Sequence, residues 1–226
     1  NANATFDDGS CTFIKTYVPD DNFEIWLEAN GYGDGDPQND SVITATLDNI
    51  NNLYLQNQGI EDITGIEDMT WLNHVNLASN NLTTVDFSSN TFITYFWLYD
   101  NDSLSNVILP DSHIYNQNVE YLHLANCNIS SINIPSNLKI SRLILEDNPL
   151  VNLDLSTQPF LKELEINSTN VNSLDLSNNN ALIFLRCSDM DYLTELDLRN
   201  GISLINLTSA YITNNPNLIF LVNQGN

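Results

Sequence analysis

The chain has 226 residues, of which 42% are hydrophobic, so it can bury a sizeable core in one or two domains. It carries 29 acidic residues against 6 lysines and arginines, and this formal net charge of −23 is repelled by nucleic acids and by anionic membrane surfaces. No apolar run approaches the ~18 residues that a membrane-spanning helix needs. We therefore expect no nucleic-acid partner and no insertion into a membrane.

Residues 1–16 open with NANATFDDGSC and hold the first cysteine, Cys11. This stretch resembles the tail of a cysteine-rich extracellular module that ends in DDGSC, with the upstream cysteines missing. The resemblance implies that Cys11 has lost its disulfide partner. It also implies that the chain is one part of a longer multidomain protein.

A short amphipathic helix is predicted in YVPDDNFEIWLEANGYG, residues 17–33. Asp20 can cap its first turn, and Gly31 can end it. Three apolar residues share one helical face: Phe23, Trp26 and Leu27. Residues 17–49 are therefore predicted to form a helical cap, followed by a loop that leads into a set of repeats.

That loop, GDGDPQNDS, brings four oxygen-bearing side chains close together in sequence: Asp34, Asp36, Asn39 and Asp40. Calcium prefers ligands of this kind, although the twelve-residue EF-hand pattern is absent. Asp, Gly, Pro and Asn are also ordinary turn formers. Calcium is the one cofactor that the sequence suggests, and the alternative is a plain connecting loop.

From residue 50 onward the pattern LxxLxLxxN recurs every 21 or 22 residues, with one interval of 26 at an insertion over 110–118. Its fourth position falls on eight apolar residues: Leu53, Val75, Phe96, Leu122, Leu143, Leu164, Leu185 and Leu207. A second apolar pair closes most units. One such unit cannot bury its apolar edge alone, so stacked coils must share a continuous core.

The ninth position of the unit is often polar: Gln58, Asn80, Asn101, Cys127, Asn148 and Thr169. A buried amide there can bond backbone groups where the chain turns, which predicts a ladder between coils. Cys127 fits this column, and Cys187 fits the apolar sixth column. Both cysteines are therefore predicted to be core residues rather than reactive thiols.

The register resembles the leucine-rich repeats over roughly residues 50–222. It is similar to the repeats of secreted Bacteroidetes proteins and, more distantly, of internalin-type adhesins. The resemblance implies a curved solenoid with a non-catalytic binding role and an extracellular or cell-surface location. We predict a leucine-rich-repeat solenoid of about eight coils over residues 50–226, with a partial C-terminal cap. A parallel β-sheet would form its concave face, extended segments and turns its convex side, and a short helix its N-terminal cap.

The third, fifth and seventh positions of each unit point out of the concave sheet, because side chains alternate along a strand. They predict an aromatic patch over the first four coils: Tyr54, His74, Tyr95, Trp97, Tyr99, Tyr121 and His123. The next coils add charged residues: Arg142, Glu146, Glu163, Glu165 and Arg186. Exposed aromatic clusters mark surfaces that bind proteins or sugar rings. Alternatively, the rings pack on one another and only stabilise the sheet.

No catalytic pattern is visible. The histidines His74, His113 and His123 lack zinc-site spacing, and the sequence has neither GxSxG nor a glycine-rich phosphate loop. We predict a non-catalytic adhesion module, monomeric and extracellular, that binds a protein or a glycan through its concave aromatic face. Two readings stay open: a glycan-binding accessory module of a polysaccharide-degrading system, and a spacer without a ligand of its own.

Overall fold

The computed structural model describes residues 13–111, 113, 118–200, 203–204 and 207–222. It contains two α-helices, α1 (Asp21–Ala29) and α2 (Thr44–Leu47), and a 3-10 helix at Ile66–Asp68. No helix in these ranges is long and apolar enough to cross a membrane. The strands are β1 (Lys15–Tyr17), β2 (Ser41–Ile43), β3 (Asn52–Tyr54), β4 (His74–Asn76), β5 (Thr84–Asp86), β6 (Tyr95–Trp97), β7 (Asn106–Ile108), β8 (Tyr121–His123), β9 (Arg142–Ile144), β10 (Glu163–Glu165), β11 (Ser173–Asp175), β12 (Phe184–Arg186), β13 (Glu195–Asp197), β14 (Arg199–Asn200), β15 (Ser203–Leu204), β16 (Ser209–Tyr211) and β17 (Phe220–Val222).

One strand from each coil joins an eight-stranded parallel sheet in the order β3, β4, β6, β8, β9, β10, β12, β16. Equivalent positions pair across it, as Leu53 does with Val75 and Leu164 with Leu185. Two smaller parallel sheets, β5–β7 and β11–β13–β17, are built from the second apolar pair of the units. The predicted solenoid is confirmed, with a parallel sheet on one side and short extended segments and turns on the other.

A single apolar core runs through the coils. Leu53, Leu143 and Leu164 at the fourth position are fully buried. The rings of Phe87 and Phe96, from opposite sides of the solenoid, meet edge to face with their centroids 5.2 Å apart. Each coil is thin, so nearly all of its apolar surface is covered by the coils above and below it.

The predicted polar ladder is present at the ninth position. The Asn80 amide donates to the carbonyls of Leu55 and Leu77, and its Oδ1 accepts from the backbone N–H of Ile60. Asn101 and Asn148 repeat this arrangement in later coils. Each amide thus bonds two neighbouring coils at the point where their strands end.

Every coil also contains a residue in the left-handed backbone region, at the eighth position of the unit. These residues have φ between 51° and 58°: Asn57, Ser79, Asp100, Asn126, Asp147, Ser168, Asp189 and Asn214. Asparagine and aspartate tolerate this conformation better than most residues other than glycine. The repeated turn therefore accounts for part of the abundance of asparagine and of acidic residues.

The helix of the N-terminal cap forms as predicted. Asp20 Oδ1 accepts from the backbone N–H of Phe23 at 3.0 Å, while Oδ2 accepts from that of Glu61 at 2.7 Å. This carboxylate therefore caps α1 and ties it to the first repeat. Strand β1 pairs with β2 and spans the predicted boundary at residue 16. Cys11 lies outside the described residues.

The register of the last unit was predicted wrongly. Leu185 pairs with Ala210, so Ala210 and not Leu207 holds the fourth position. The hairpin of β14 and β15 precedes this strand and lengthens the coil to 25 residues. Asn215 then occupies the ninth position, where it donates to the Cys187 carbonyl and accepts from the backbone N–H of Met190.

Cys127 and Cys187 are both buried and unbonded to other cysteines, as predicted for core residues. Burial raises the pKa of the Cys127 thiol to about 11 and that of Cys187 to about 12. The nucleophilic thiolate is therefore scarce at neutral pH.

Candidate functional site

The concave face is the exposed side of the eight-stranded sheet. Its residues occupy three columns that cross the strands, because the pairing is in register from coil to coil. Tyr95 is paired with His74 on one side and with Tyr121 on the other. In the neighbouring column, Trp97 lies between Asn76 and His123.

Six of the predicted aromatic residues contact one another in the coils that contribute the second to fourth strands of this face, β4, β6 and β8. We call them the aromatic patch: His74, Tyr95, Trp97, Tyr99, Tyr121 and His123. His74 and Tyr95 stack with centroids 4.6 Å apart and planes 10° apart, and Tyr95 stacks on Trp97 at 5.3 Å. All six side chains are half-buried. The patch is therefore a packed array that still reaches solvent.

Tyr54 does not join the patch. It lies in β3, 50% exposed, and among the described residues it makes no ring contact. The small polar Asn76 separates it from Trp97 in the fifth column. The patch thus begins in the second coil rather than in the first.

The two histidines of the aromatic patch are partly buried and poorly hydrated. His123 Nδ1 lies 3.3 Å from the hydroxyl of Tyr121, and the Nδ1 of His74 is buried with no hydrogen-bond partner among the described residues. Burial lowers the pKa of both histidines from 6.5. Both imidazoles are therefore neutral at neutral pH, which suits their stacking against other rings.

This shift predicts a pH-dependent stability. The folded pKa values lie below the unfolded ones, so the unfolded chain binds more protons and the free energy of unfolding falls as pH drops through 6.5. Urea unfolding at a series of pH values should show this slope, and the variant His74→Gln/His123→Gln should flatten it. An unchanged slope in that variant would show that these two histidines do not cause the pH dependence.

Charged side chains follow the patch along the sheet. We call the glutamates of these coils the carboxylate group: Glu146, Glu163 and Glu165. Arg186 Nη1 lies 2.6 Å from Glu165, and Arg142 Nε lies 3.7 Å from Glu163. Burial raises the pKa of Glu165, and the nearby Glu146 and Glu163 carboxylates act in the same direction against Arg186.

A second, smaller ring cluster lies at the C-terminal end of the concave face. The Arg186 guanidinium carbon is 5.4 Å from the ring centroids of both Phe184 and Tyr211. Tyr211 was not predicted to lie on this face, because the predicted register of the last coil was wrong. Taking Asn215 as the ninth position, in the pattern LTSAYITNN, would have placed Tyr211 in the fifth column.

The loop that was predicted to bind calcium is held by hydrogen bonds from its backbone to glutamates of α1 and by a salt bridge to β1. Lys15 Nζ lies 2.6 Å from Asp34, and its hydrogen bond holds the pKa of that carboxyl below its usual value. The Asn39 amide also donates to Asp34. Asp36 and Asp40 are exposed.

Within the described residues, the carboxylates that converge are a different set, with oxygens within 4.8 Å of one another: Asp21, Glu24 and Asp40. Glu24 is fully buried and already accepts from the backbone N–H groups of Gln38 and Ser41. Calcium binding by the Asp34 loop stays a prediction, and an ion there would have to displace Lys15 from Asp34.

Comparison with known proteins places the fold. No protein-family model and no curated protein matches the chain. Among solved structures, an internalin C2 from Listeria monocytogenes is 21% identical, with a TM-score of 0.54 over 90% of this chain and 100% of that one. The functional domain of InlJ from the same organism, which includes a cysteine ladder, is 19% identical, with a TM-score of 0.37 over 94% of this chain and 71% of that one. An internalin, InlF, is 18% identical, with a TM-score of 0.35 over 92% and 90%.

The likeness to internalin C2 agrees with the geometry of the chain itself. This chain has an in-register parallel sheet and a buried asparagine ladder. The chain therefore has the leucine-rich-repeat fold, as an internalin does.

Proposed function

We propose that this chain is a non-catalytic adhesion module that binds a protein through its concave face, outside the cell or on its surface. The aromatic patch supports this most directly. Six half-buried rings on neighbouring strands of a concave sheet are a large apolar area to leave in contact with water. Tyrosine and tryptophan are also the residues that most often dominate protein interfaces.

The arrangement of the rings favours a protein over a glycan. A sugar ring stacks on an open aromatic face, but His74, Tyr95 and Trp97 lie in nearly parallel planes with their centroids 4.6, 5.3 and 6.2 Å apart, so these rings cover part of one another. Their edges, with the tyrosine hydroxyl and the indole N–H, are then available to hydrogen-bond a partner. A polypeptide offers matching backbone groups.

The test compares the wild type with Tyr95→Ala/Trp97→Ala/Tyr99→Ala. A phage-displayed library of random linear peptides and a glycan array are each screened with both. We expect peptides selected on the wild type to lose binding to the triple variant, because the rings supply most of the contact area. Phe160→Ala/Tyr192→Ala removes two exposed rings outside the three concave columns and should leave binding intact.

Circular dichroism and the milder Trp97→Ala variant separate loss of contact from loss of fold. Peptides that bind the triple variant as well as the wild type would overturn the proposal and favour a spacer. Glycan binding that is lost in Trp97→Ala would favour the accessory module of a polysaccharide-degrading system.

A further inference from the structure

The concave face has an excess of negative charge next to its aromatic patch. Its three columns contain the carboxylate group, Glu146, Glu163 and Glu165, but only two guanidinium groups, Arg142 and Arg186. Those two pair with Glu163 and Glu165. Glu146 instead accepts a hydrogen bond from the neutral Asn167 amide at 3.0 Å, so its charge is not neutralised by a cation.

None of the three arginines of the chain is free to bind an anionic partner. Arg142, Arg186 and Arg199 each pair with a carboxylate of the chain itself. With 29 acidic residues against 6 basic ones, the protein attracts cationic molecules over distances of about a Debye length, ~8 Å at physiological salt. Charge complementarity therefore selects a basic partner.

The boundary between the patch and the carboxylate group lies at strand β9. In the fifth column, the buried Ile144 separates His123 from Glu165. The Tyr121 ring borders the same strand and already has the Arg142 guanidinium carbon 6.0 Å from its centroid. Aromatic faces attract cations, and apolar side chains accept the aliphatic stems of lysine and arginine. Aromatic rings on β8 and carboxylates on β10 therefore flank β9, which contributes an apolar residue between them.

We propose that the concave face binds a basic polypeptide segment, with a lysine or arginine side chain of the partner lying between the aromatic patch and the carboxylate group. This inference rests on the proposed function and adds the chemistry of the partner. The partner's aliphatic stem contacts the half-buried Tyr121 ring, and its cation approaches Glu146. Burial is the main cause of the raised pKa of Glu165, and the Glu146 and Glu163 carboxylates add to it, so a further cation would offset the repulsion among the three carboxylates.

The experiment uses the peptides that the wild type selects from the phage-displayed library. We expect them to be enriched in lysine and arginine, and replacing those residues by serine should abolish binding. Fluorescence anisotropy should show about tenfold weaker binding to Glu146→Gln, which removes the unneutralised charge. Glu195→Gln makes the same chemical change on an exposed residue of β13, outside the concave face, and should alter the affinity less than about twofold.

The outcomes separate this inference from the proposed function. Selected peptides that depend on the aromatic patch but lack basic residues would overturn the inference and leave the proposed function standing. Equal weakening by Glu146→Gln and Glu195→Gln would also overturn it, because attraction to the whole polyanion would then explain binding. Selected peptides that bind the wild type and the triple alanine variant equally well would overturn both the inference and the proposed function.

Discussion

Replacing Asn101 by leucine should destabilise the solenoid by about 3 kcal/mol, because each buried polar group that is left unpaired costs about 1–3 kcal/mol. Asn101 is fully buried. Its amide donates to the carbonyls of Leu77 at 3.0 Å and Leu98 at 2.8 Å, and its Oδ1 accepts from the backbone N–H of Leu82. Leucine is similar in shape but bonds none of these groups. The Leu82 N–H would be left unpaired and the Leu98 carbonyl would keep only a weak thiol donor. The Leu77 carbonyl, in contrast, also accepts from Asn80. Urea unfolding followed by tryptophan fluorescence and by circular dichroism measures the loss.

The next coil supplies the matched control. Cys127 holds the same column, but its sulfur is 3.6 Å from the Leu98 carbonyl and 3.5 Å from that of Ala125, which is the weaker bonding expected of a thiol. Cys127→Asn should therefore unfold at the urea concentration of the wild type or above it. A loss of less than about 1 kcal/mol in Asn101→Leu would show that the ladder contributes little.

The fold could be predicted in detail because every coil repeats the same requirement. The apolar columns through Leu53, Leu143 and Leu164 must face one another, so an error in one unit is corrected by its neighbours. The last coil has a neighbour on one side only, and the hairpin of β14 and β15 changes its length. The fourth position of the last coil was therefore predicted at Leu207 instead of Ala210, since a leucine fits an apolar column better than an alanine does.

A second polar ladder was not predicted. Asn90 donates its amide to the carbonyls of Ile66 and Met69, and Asn179 does the same to Leu155 and Gln158. These residues lie in SSNT and SNNN, which look like ordinary polar turns. Their burial depends on how coils of unequal length stack, and a single sequence does not reveal that.

The column positions of the aromatic residues were predicted, but the geometry of their rings was not. Column positions place Tyr95 beside His74, but ring orientation depends on side-chain torsions that no spacing encodes. Whether a ring shows its face or its edge decides between a sugar and a protein as ligand. The bonds that organise the Asp34 loop were equally hidden, because their acceptors lie in α1, earlier in the chain.

Glu24→Ala should release the loop that joins the cap to the repeats and lower the free energy of unfolding by about 3 kcal/mol or more, because even one hydrogen bond to a charged group contributes about 1.5–3 kcal/mol. The Glu24 carboxylate is fully buried and accepts from four successive backbone N–H groups: Gln38 at 2.8 Å, Asn39 at 3.2 Å, Asp40 at 3.3 Å and Ser41 at 3.1 Å. Alanine would leave the N–H groups of residues 38–40 without their acceptor, whereas the Ser41 N–H also donates to Asn39 Oδ1. Hydrogen exchange should then accelerate at residues 38–41, and urea unfolding gives the change in stability.

Glu28 provides the comparison that isolates burial. It lies on the same helix and accepts from the backbone N–H groups of Asp34 at 2.6 Å and Gly35 at 3.0 Å, but it is only half-buried. Water can replace its bonds, so Glu28→Ala should cost about 1 kcal/mol or less. Equal losses in the two variants would mean that charge, rather than burial, holds the loop. Binding of the selected peptides should survive both changes, because the cap covers the first coil while the aromatic patch begins in the second.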